Sequence, residues 1–187
     1  MTPQERETLI QQYADGPRRL GEALAKVPPA ARKWRPAPGE WSAHEVICHC
    51  ADSETTSYSR IRYVLAEKDP LIVGYDQEEW ARRFDYHALP IEPALAAVAS
   101  VRAMTTALLR TLPAEAWARK GRHSEMAQHV AAVPATELAI RSHAFLDETP
   151  GPPKARQIVE AILRHQSDRT HGWRGSGAPA TIGPRGC

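Results

Sequence analysis

One segment, residues 47–65, constrains the fold of this chain more than any other. Its mostly apolar positions recur at alternating spacings of four and three residues, which places them along one stripe of an α-helix. The positions are Ile47, Ala51, Glu54, Tyr58, Ile61 and Leu65. Such a stripe is typical of the seam between helices of a bundle. Glu54 is charged, and an interruption of this kind tends to mark either function or a paired charge in the core.

Local start signals place two long helices on the chain. Thr2 and Glu5 have the spacing of a capping box, in which each side chain bonds the other residue's backbone amide. Ser42 and Glu45 repeat that spacing ahead of the seam, and Trp41 is placed to staple the start of the helix. The pair Gly16-Pro17 predicts a kink or a break within the first helix.

The remaining segments predict more helices and no sheet, because aromatic and β-branched runs with a period of two are missing. The additional helices are predicted at Gln77–Arg83, Ile91–Leu112, Pro134–Glu148 and Lys154–His165. The predicted fold class is therefore all-α, a four-helix bundle with a long crossover connection over residues 68–90. Residues 1–165 form the predicted bundle domain, and the polar residues 166–187 form a predicted disordered tail.

The composition limits the classes of partner. A net charge of +2 over 187 residues gives no argument for nucleic acid or an anionic membrane. No segment approaches the roughly 20 apolar residues of a membrane span, and the N-terminus lacks a basic-then-apolar signal pattern. Three cysteines, an odd number, argue against a disulfide framework and for a reducing cytoplasm.

His49 stands between Cys48 and Cys50, and it is the first candidate for chemistry. Successive helical residues point about 100° apart, so the three side chains cannot bind one ion. The two cysteines are expected to be small core residues. The spacing alone leaves three interpretations of His49: a structural histidine, a metal ligand, or a general base without metal.

A second candidate lies in the predicted fourth helix. His143 and Asp147 are four residues apart, so both side chains share one helical face and could reach one cation. A solvated pair on a helix surface would have the same spacing.

A resemblance adds to these local signals. The segment RPAPGEWSAHEVICHCADSE, residues 35–54, resembles the signature of the DinB superfamily, in its branch with bacillithiol-transferase-like proteins. The segment LPAEAWARKGRHSE, residues 112–125, is similar to that family's loop before its last helix. The resemblance implies a DinB-type four-helix bundle that holds one divalent metal on three histidines. His49 matches the first histidine, and a His-x-x-x-His pair on the last helix would supply the others.

This sequence departs from that pattern, because no His-x-x-x-His follows residue 126. The nearest match is His143 with Asp147, so the implied metal ligands are His49, His143 and Asp147, for zinc, nickel or manganese. Asp52 and Glu54 are candidates to orient His49 through a hydrogen bond. An alternative hypothesis is that residues 127–153 come from a shifted reading frame or diverged after loss of the metal, and reading the gene in all three frames tests it.

The implied function is that of a metal-dependent hydrolase or a transferase that uses a low-molecular-weight thiol such as bacillithiol or mycothiol. The partner would be a small-molecule substrate, and Arg60 and Arg62 could meet an anionic thiol. The alternative is a non-enzymatic, metal-free bundle that acts as a stress-related or dimer-forming protein. The alanine-rich third long helix would then be a face for a homodimer.

Overall fold

The computed structural model describes residues 2–124 and 133–134, with the backbone alone at His123, Val133 and Pro134. Its helices are α1 (Pro3–Ala25), α2 (Ala43–Ala66), α3 (Gln77–Arg83) and α4 (Ile91–Thr111). Its strands are β1 (Leu71–Ile72), β2 (Lys120–His123) and β3 (Val133–Pro134), and 3₁₀ turns cover Pro29–Ala31 and Ala114–Ala118. Pro134, predicted to begin a helix, instead ends β3. The rest of that predicted helix, the helix predicted at 154–165 and the tail at 166–187 lie outside the described residues.

Both predicted capping boxes are confirmed. At α1, the Thr2 amide donates to Glu5 at 2.6 Å, and the Glu5 amide donates to Thr2 Oγ1 at 3.2 Å. At α2, the corresponding distances between Ser42 and Glu45 are 2.8 and 3.3 Å. Asp76 caps α3 by accepting from the amides two and three residues further on, each at 3.0 Å. These starts form because side chains satisfy amides that have no partner within the helix.

Of the kink or break predicted at Gly16-Pro17, the break is wrong, because α1 continues through Pro17 to Ala25. Proline has no amide hydrogen, so it cannot donate to the carbonyl of Tyr13, four residues earlier. Arg102 of α4 supplies the missing donor, and its Nη1 lies 3.0 Å from the Tyr13 oxygen. A Cβ atom on Gly16 would lie 2.7 Å from Arg102 Cζ and closer still to Nη1. Glycine at this position therefore makes room for the guanidinium.

The three long helices share one core. Helix α4 packs against both α1 and α2. The main cluster contains Leu20, Leu24 and Val27, with Ala43, Val46 and Ile47 from α2 and Ile91 and Val98 from α4. The alternating seam of α2 is confirmed at three of its six positions, because Ile47, Glu54 and Ile61 are buried. Among the described residues, no helix combines the length and apolar character needed to cross a bilayer.

A small sheet closes one end of the bundle. Strand β1 pairs in parallel with β2, with Leu71 opposite Arg122, and β2 pairs antiparallel with β3. Arg119, just before β2, donates to the carbonyls of Val64 and Glu67 at the end of α2. The guanidinium thus satisfies carbonyls that the last turn of a helix leaves without amide partners. The crossover is in this way tied to the chain that follows α4.

Candidate functional site

His49 lies in the second turn of α2 and is only 4% exposed. The ring of Trp41, which precedes the helix, meets the imidazole edge-on, with 4.9 Å between centroids and an angle of 73°. The ring of Tyr75, from the crossover, lies 6.4 Å from the imidazole. Two aromatic rings from separate parts of the chain therefore border His49.

Asp52 follows His49 by three residues, so the two side chains lie on neighbouring positions of one helical face. Its carboxylate accepts a 2.6 Å hydrogen bond from the hydroxyl of Tyr86, which is 1% exposed. Burial and this bond to a carboxylate both raise the pKa of Tyr86, so the phenol stays protonated and keeps donating. The role of Asp52 as a residue that orients His49 stays a prediction. The contact seen here orients Tyr86.

Tyr75 connects His49 with the rest of the crossover. Its ring lies 4.3 Å from the ring of Trp80. Burial raises the pKa of Tyr75, and the nearby Ser53 of α2 offsets this in part. Arg60 lies over the Tyr75 ring at 5.6 Å and also donates to the Val73 carbonyl. Two arginines were predicted to meet an anionic thiol. Arg60 is the one that contacts Tyr75, whose ring borders His49. The other, Arg62, stacks on Tyr58 of its own helix at 3.2 Å.

Glu54 lies on the face of α2 that meets α1 and α4, and it is 1% exposed. One carboxylate oxygen accepts from Arg102 Nε at 2.5 Å, and the other accepts from the Tyr13 hydroxyl at 3.0 Å. Burial raises the pKa of Glu54, and the bonds from Arg102 and Tyr13 offset this only in part. Both oxygens of Glu54 are engaged within the core. The charged position in the seam predicted either a functional residue or a paired charge in the core. The contacts of Glu54 are those of a paired core charge.

The two cysteines beside His49 are suited to packing. Burial raises the pKa of Cys48 to about 11 and that of Cys50 to about 12, which leaves little thiolate at neutral pH. The Cys48 thiol points to the carbonyl of Tyr86, with 3.6 Å between sulfur and oxygen. Neither thiol is therefore activated for nucleophilic attack.

A second polar cluster surrounds the start of α2. Glu45 accepts from the Ser42 hydroxyl at 2.8 Å and from the Arg35 guanidinium, and His87 Nε2 lies 3.3 Å from it. Burial alone would raise the pKa of Glu45, but the bonds from Arg35 and Ser42 outweigh it and lower the pKa to about 2. Trp41 borders this cluster as well. A cleft of about 350 Å³ beside it is lined by residues that include Arg35, Trp41, Glu45, Asp76, Glu78 and Arg82.

The structure describes only one of the three predicted metal ligands. His143 and Asp147 lie outside the described residues, so the set stays a prediction. Within residues 2–124 and 133–134, no three side chains of the types His, Cys, Asp and Glu come close enough together to hold a metal ion. His49 is thus the ligand candidate that the described chain can supply.

Sequence reasoning missed several residues around the site. Trp41 was predicted only as a staple for α2, and Tyr75, Tyr86 and Arg102 were not identified. The aromatic content of the crossover, YDQEEWARRFDY at residues 75–86, was the available signal for the rings. The pairing of Arg102 with Glu54 joins positions 48 residues apart, and no local pattern reveals it.

Comparison with known proteins gives relatives that share a description. A protein from Oceanobacillus iheyensis, named "Putative metal-dependent hydrolase OB0782", is 37% identical over 46% of this chain. A Bacillus cereus relative of the same description is 30% identical over 68% of this chain. The matched part spans half the length of the first relative and 73% of the second.

A solved structure and a family profile extend the comparison to most of the chain. YfiT from Bacillus subtilis, described as "a probable metal-dependent hydrolase with an unusual four-helix bundle topology", superposes with a TM-score of 0.70. It is 22% identical, and the match covers 92% of this chain and 91% of YfiT. The predicted four-helix-bundle fold class is thereby confirmed. The sequence profile of the DinB superfamily matches residues 12–172, so the chain belongs to the DinB superfamily.

Proposed function

We propose that this chain binds one divalent metal ion through His49 and acts as a metal-dependent hydrolase or a low-molecular-weight-thiol S-transferase. His143 and Asp147 are the proposed partners of His49 in holding the ion, which would be zinc, nickel or manganese. The substrate would be a small molecule, with or without a thiol cosubstrate.

The position of His49 carries this proposal. Its imidazole is buried, belongs to the segment 35–54 that resembles the family's signature, and lies against two aromatic rings. A neutral imidazole offers one nitrogen lone pair to a metal and can donate a hydrogen bond from its other nitrogen. The names of the relatives in Oceanobacillus and Bacillus support the same type of chemistry.

The residues around His49 indicate how such a site would work. A bound divalent ion would supply Lewis acidity, either toward a water molecule or toward a thiolate. The rings of Trp41 and Tyr75 limit the access of water to the imidazole. Asp52 lies one turn further along α2 and accepts a hydrogen bond from the Tyr86 hydroxyl. A polar substrate group could replace one partner of this bond.

Metal content is the direct test. Purified wild-type protein should contain about one equivalent of zinc, nickel or manganese by elemental mass spectrometry. The variant His49→Ala should contain close to none. The matched control is His44→Ala, because His44 is also buried on α2 but bonds the Leu89 carbonyl at 2.8 Å. That variant should keep the metal, although it loses a structural bond.

The remaining ligands and the reaction need separate tests. His143→Ala and Asp147→Ala should each lower the metal content if the proposed set is correct. Consumption of bacillithiol or mycothiol with an electrophilic acceptor would indicate transfer, and hydrolysis of activated esters or amides without thiol would indicate a hydrolase.

The metal-free bundle remains the second candidate, and the replacement of a family histidine by Asp147 favours it. If wild-type protein contains no metal after incubation with zinc or nickel, the enzymatic proposal fails. His49→Ala would in that case change only the stability of the bundle.

A further inference from the structure

Trp41 lies nearer to His49 than Tyr75 does, yet it lies outside the helix that carries His49. It precedes the cap of α2 by one residue, and its indole ring returns to meet the imidazole two turns further along. The edge-on arrangement at 4.9 Å is the geometry that aromatic pairs prefer. The contact is therefore specific in orientation as well as in distance.

Trp41 is itself held from the crossover. Its indole N–H donates to Glu78 of α3 at 2.9 Å. Its ring also meets Tyr86 at 6.4 Å and 87°, and the Tyr86 hydroxyl is bound to Asp52. A ring held by these two contacts has few orientations open to it, and so it can restrict the imidazole that it touches.

We propose that Trp41 is a positioning residue for His49, which keeps the imidazole in one orientation before any metal or substrate arrives. The crossover shares in this role, because Glu78 and Tyr86 hold Trp41. A ligand that is already oriented loses less conformational freedom on binding, and this strengthens the binding of the ion. The effect on metal binding rests on the proposed function, whereas the orientation of His49 does not.

Two readouts test the proposal on the full-length chain. The first is the imidazole signals of His49 in ¹H–¹⁵N NMR spectra, assigned by their absence in His49→Ala. The second is the affinity for Zn²⁺ alone, measured by calorimetry. In Trp41→Leu, the His49 signals should lose the ring-current shift and broaden, and Zn²⁺ affinity should fall about tenfold. In Trp41→Phe, which keeps a ring, both readouts should recover most of the way.

The matched control is Trp117→Leu. Trp117 is buried, whereas Trp41 is partly buried, and Trp117 packs in a separate cluster with Ile10, Tyr13 and Leu109. This variant should lower thermal stability and leave the His49 signals and the Zn²⁺ affinity unchanged. Equal changes in the Trp41 and Trp117 variants, or no change in Trp41→Leu, would overturn the positioning role.

A milder variant guards against loss of folding. Glu78→Ala removes the acceptor of the Trp41 indole and leaves the ring in place. Zn²⁺ affinity should therefore fall about two- to threefold, less than the fall expected for Trp41→Leu. The His49 signals should shift in the same direction as in Trp41→Leu, and an unchanged spectrum contradicts the role of the crossover. If the wild type binds none of Zn²⁺, Ni²⁺ and Mn²⁺, the proposed function fails, and the NMR comparison still decides whether Trp41 orients His49.

Discussion

Glu54 and His49 are five residues apart on the same helix, and both are almost fully buried, with exposures of 1% and 4%. Glu54 faces α1 and α4, where an arginine and a tyrosine engage both of its oxygens. His49 meets the ring of Tyr75 from the crossover and the ring of Trp41, which precedes α2. One helix thus carries two buried polar groups in two different environments.

The different partners of Glu54 and His49 suit them to different roles, one in stability and the other in chemistry. A buried charge is tolerated only when partners compensate for its lost hydration, and a charge with such partners has little capacity left for a ligand. Aromatic rings orient an imidazole without using the nitrogen lone pair that binds a metal. The described contacts of Glu54 therefore serve stability, and its role in orienting His49 stays a prediction, whereas His49 is the candidate of this pair for chemistry.

The largest effect is expected for Arg102→Met. The substitution leaves the buried Glu54 carboxylate without its cation and the Tyr13 carbonyl without its donor. Urea unfolding should show a loss of about 3 to 5 kcal/mol in the free energy of unfolding. The metal content of the molecules that remain folded should not change. Arg102 belongs to α4 and contacts the face of α2 that carries Glu54, not the face that carries His49.

Two double variants sharpen this result. Glu54→Leu with Arg102→Met replaces the ion pair by apolar groups and should recover most of the lost stability. Pro17→Ala with Arg102→Met returns an amide donor to the Tyr13 carbonyl, so it should recover about 1 kcal/mol. A loss below about 1 kcal/mol for Arg102→Met alone would mean that the pair contributes no more than an exposed ion pair does.

A smaller effect is expected for Gly16→Ala. The added methyl group would overlap the Arg102 guanidinium and displace it from Tyr13 and Glu54. Thermal or chemical unfolding should show a loss of about 2 kcal/mol. Gly21→Ala is the control on the same helix, because a Cβ there meets nothing within 4 Å. That variant should gain about 0.5 to 1 kcal/mol, since alanine favours a helix over glycine. Equal effects at the two positions would contradict the close approach of Arg102.

The smallest effect concerns pH and the start of α2. The folded-state pKa of Glu45 is about 2, below its usual 4.5, so its stabilising contribution is present above pH 4.5 and is lost as pH falls toward 2. Arg35 is half-exposed, and solvent screening reduces the expected loss to about 1 to 2 kcal/mol. Glu45→Gln should flatten this part of the profile of unfolding free energy against pH. An identical profile in the variant would show that another carboxylate is responsible.

The sequence predicted those parts of the fold that depend on neighbours in the chain. The capping boxes at Thr2 and Ser42 and the cap at Asp76 were found because donor and acceptor lie within three residues of one another. The strands were missed, since β1 has 2 residues and β2 has 4, too few to show an alternating pattern.

The contacts between helices were the part that could not be predicted. Glu54 was identified as an exception in its seam, but its partner Arg102 belongs to another helix. Pro17 was expected to interrupt α1, because a local rule takes no account of a donor from α4. Of the two rings beside His49, Trp41 precedes α2, whereas Tyr75 comes from the crossover, whose path over α2 follows from tertiary packing alone.

The space that Gly16 leaves for Arg102 limits the order in which this sequence can change over generations. A lineage that loses Arg102 first passes through a chain with an unpaired carboxylate in its core, and one that loses Glu54 first leaves an unpaired guanidinium there. A side chain at Gly16 is tolerated only once Arg102 has been replaced by something smaller. Substitutions at these three positions are therefore not independent, and their effects will not add. Glu54 and Arg102 must change together, and Gly16 must change last.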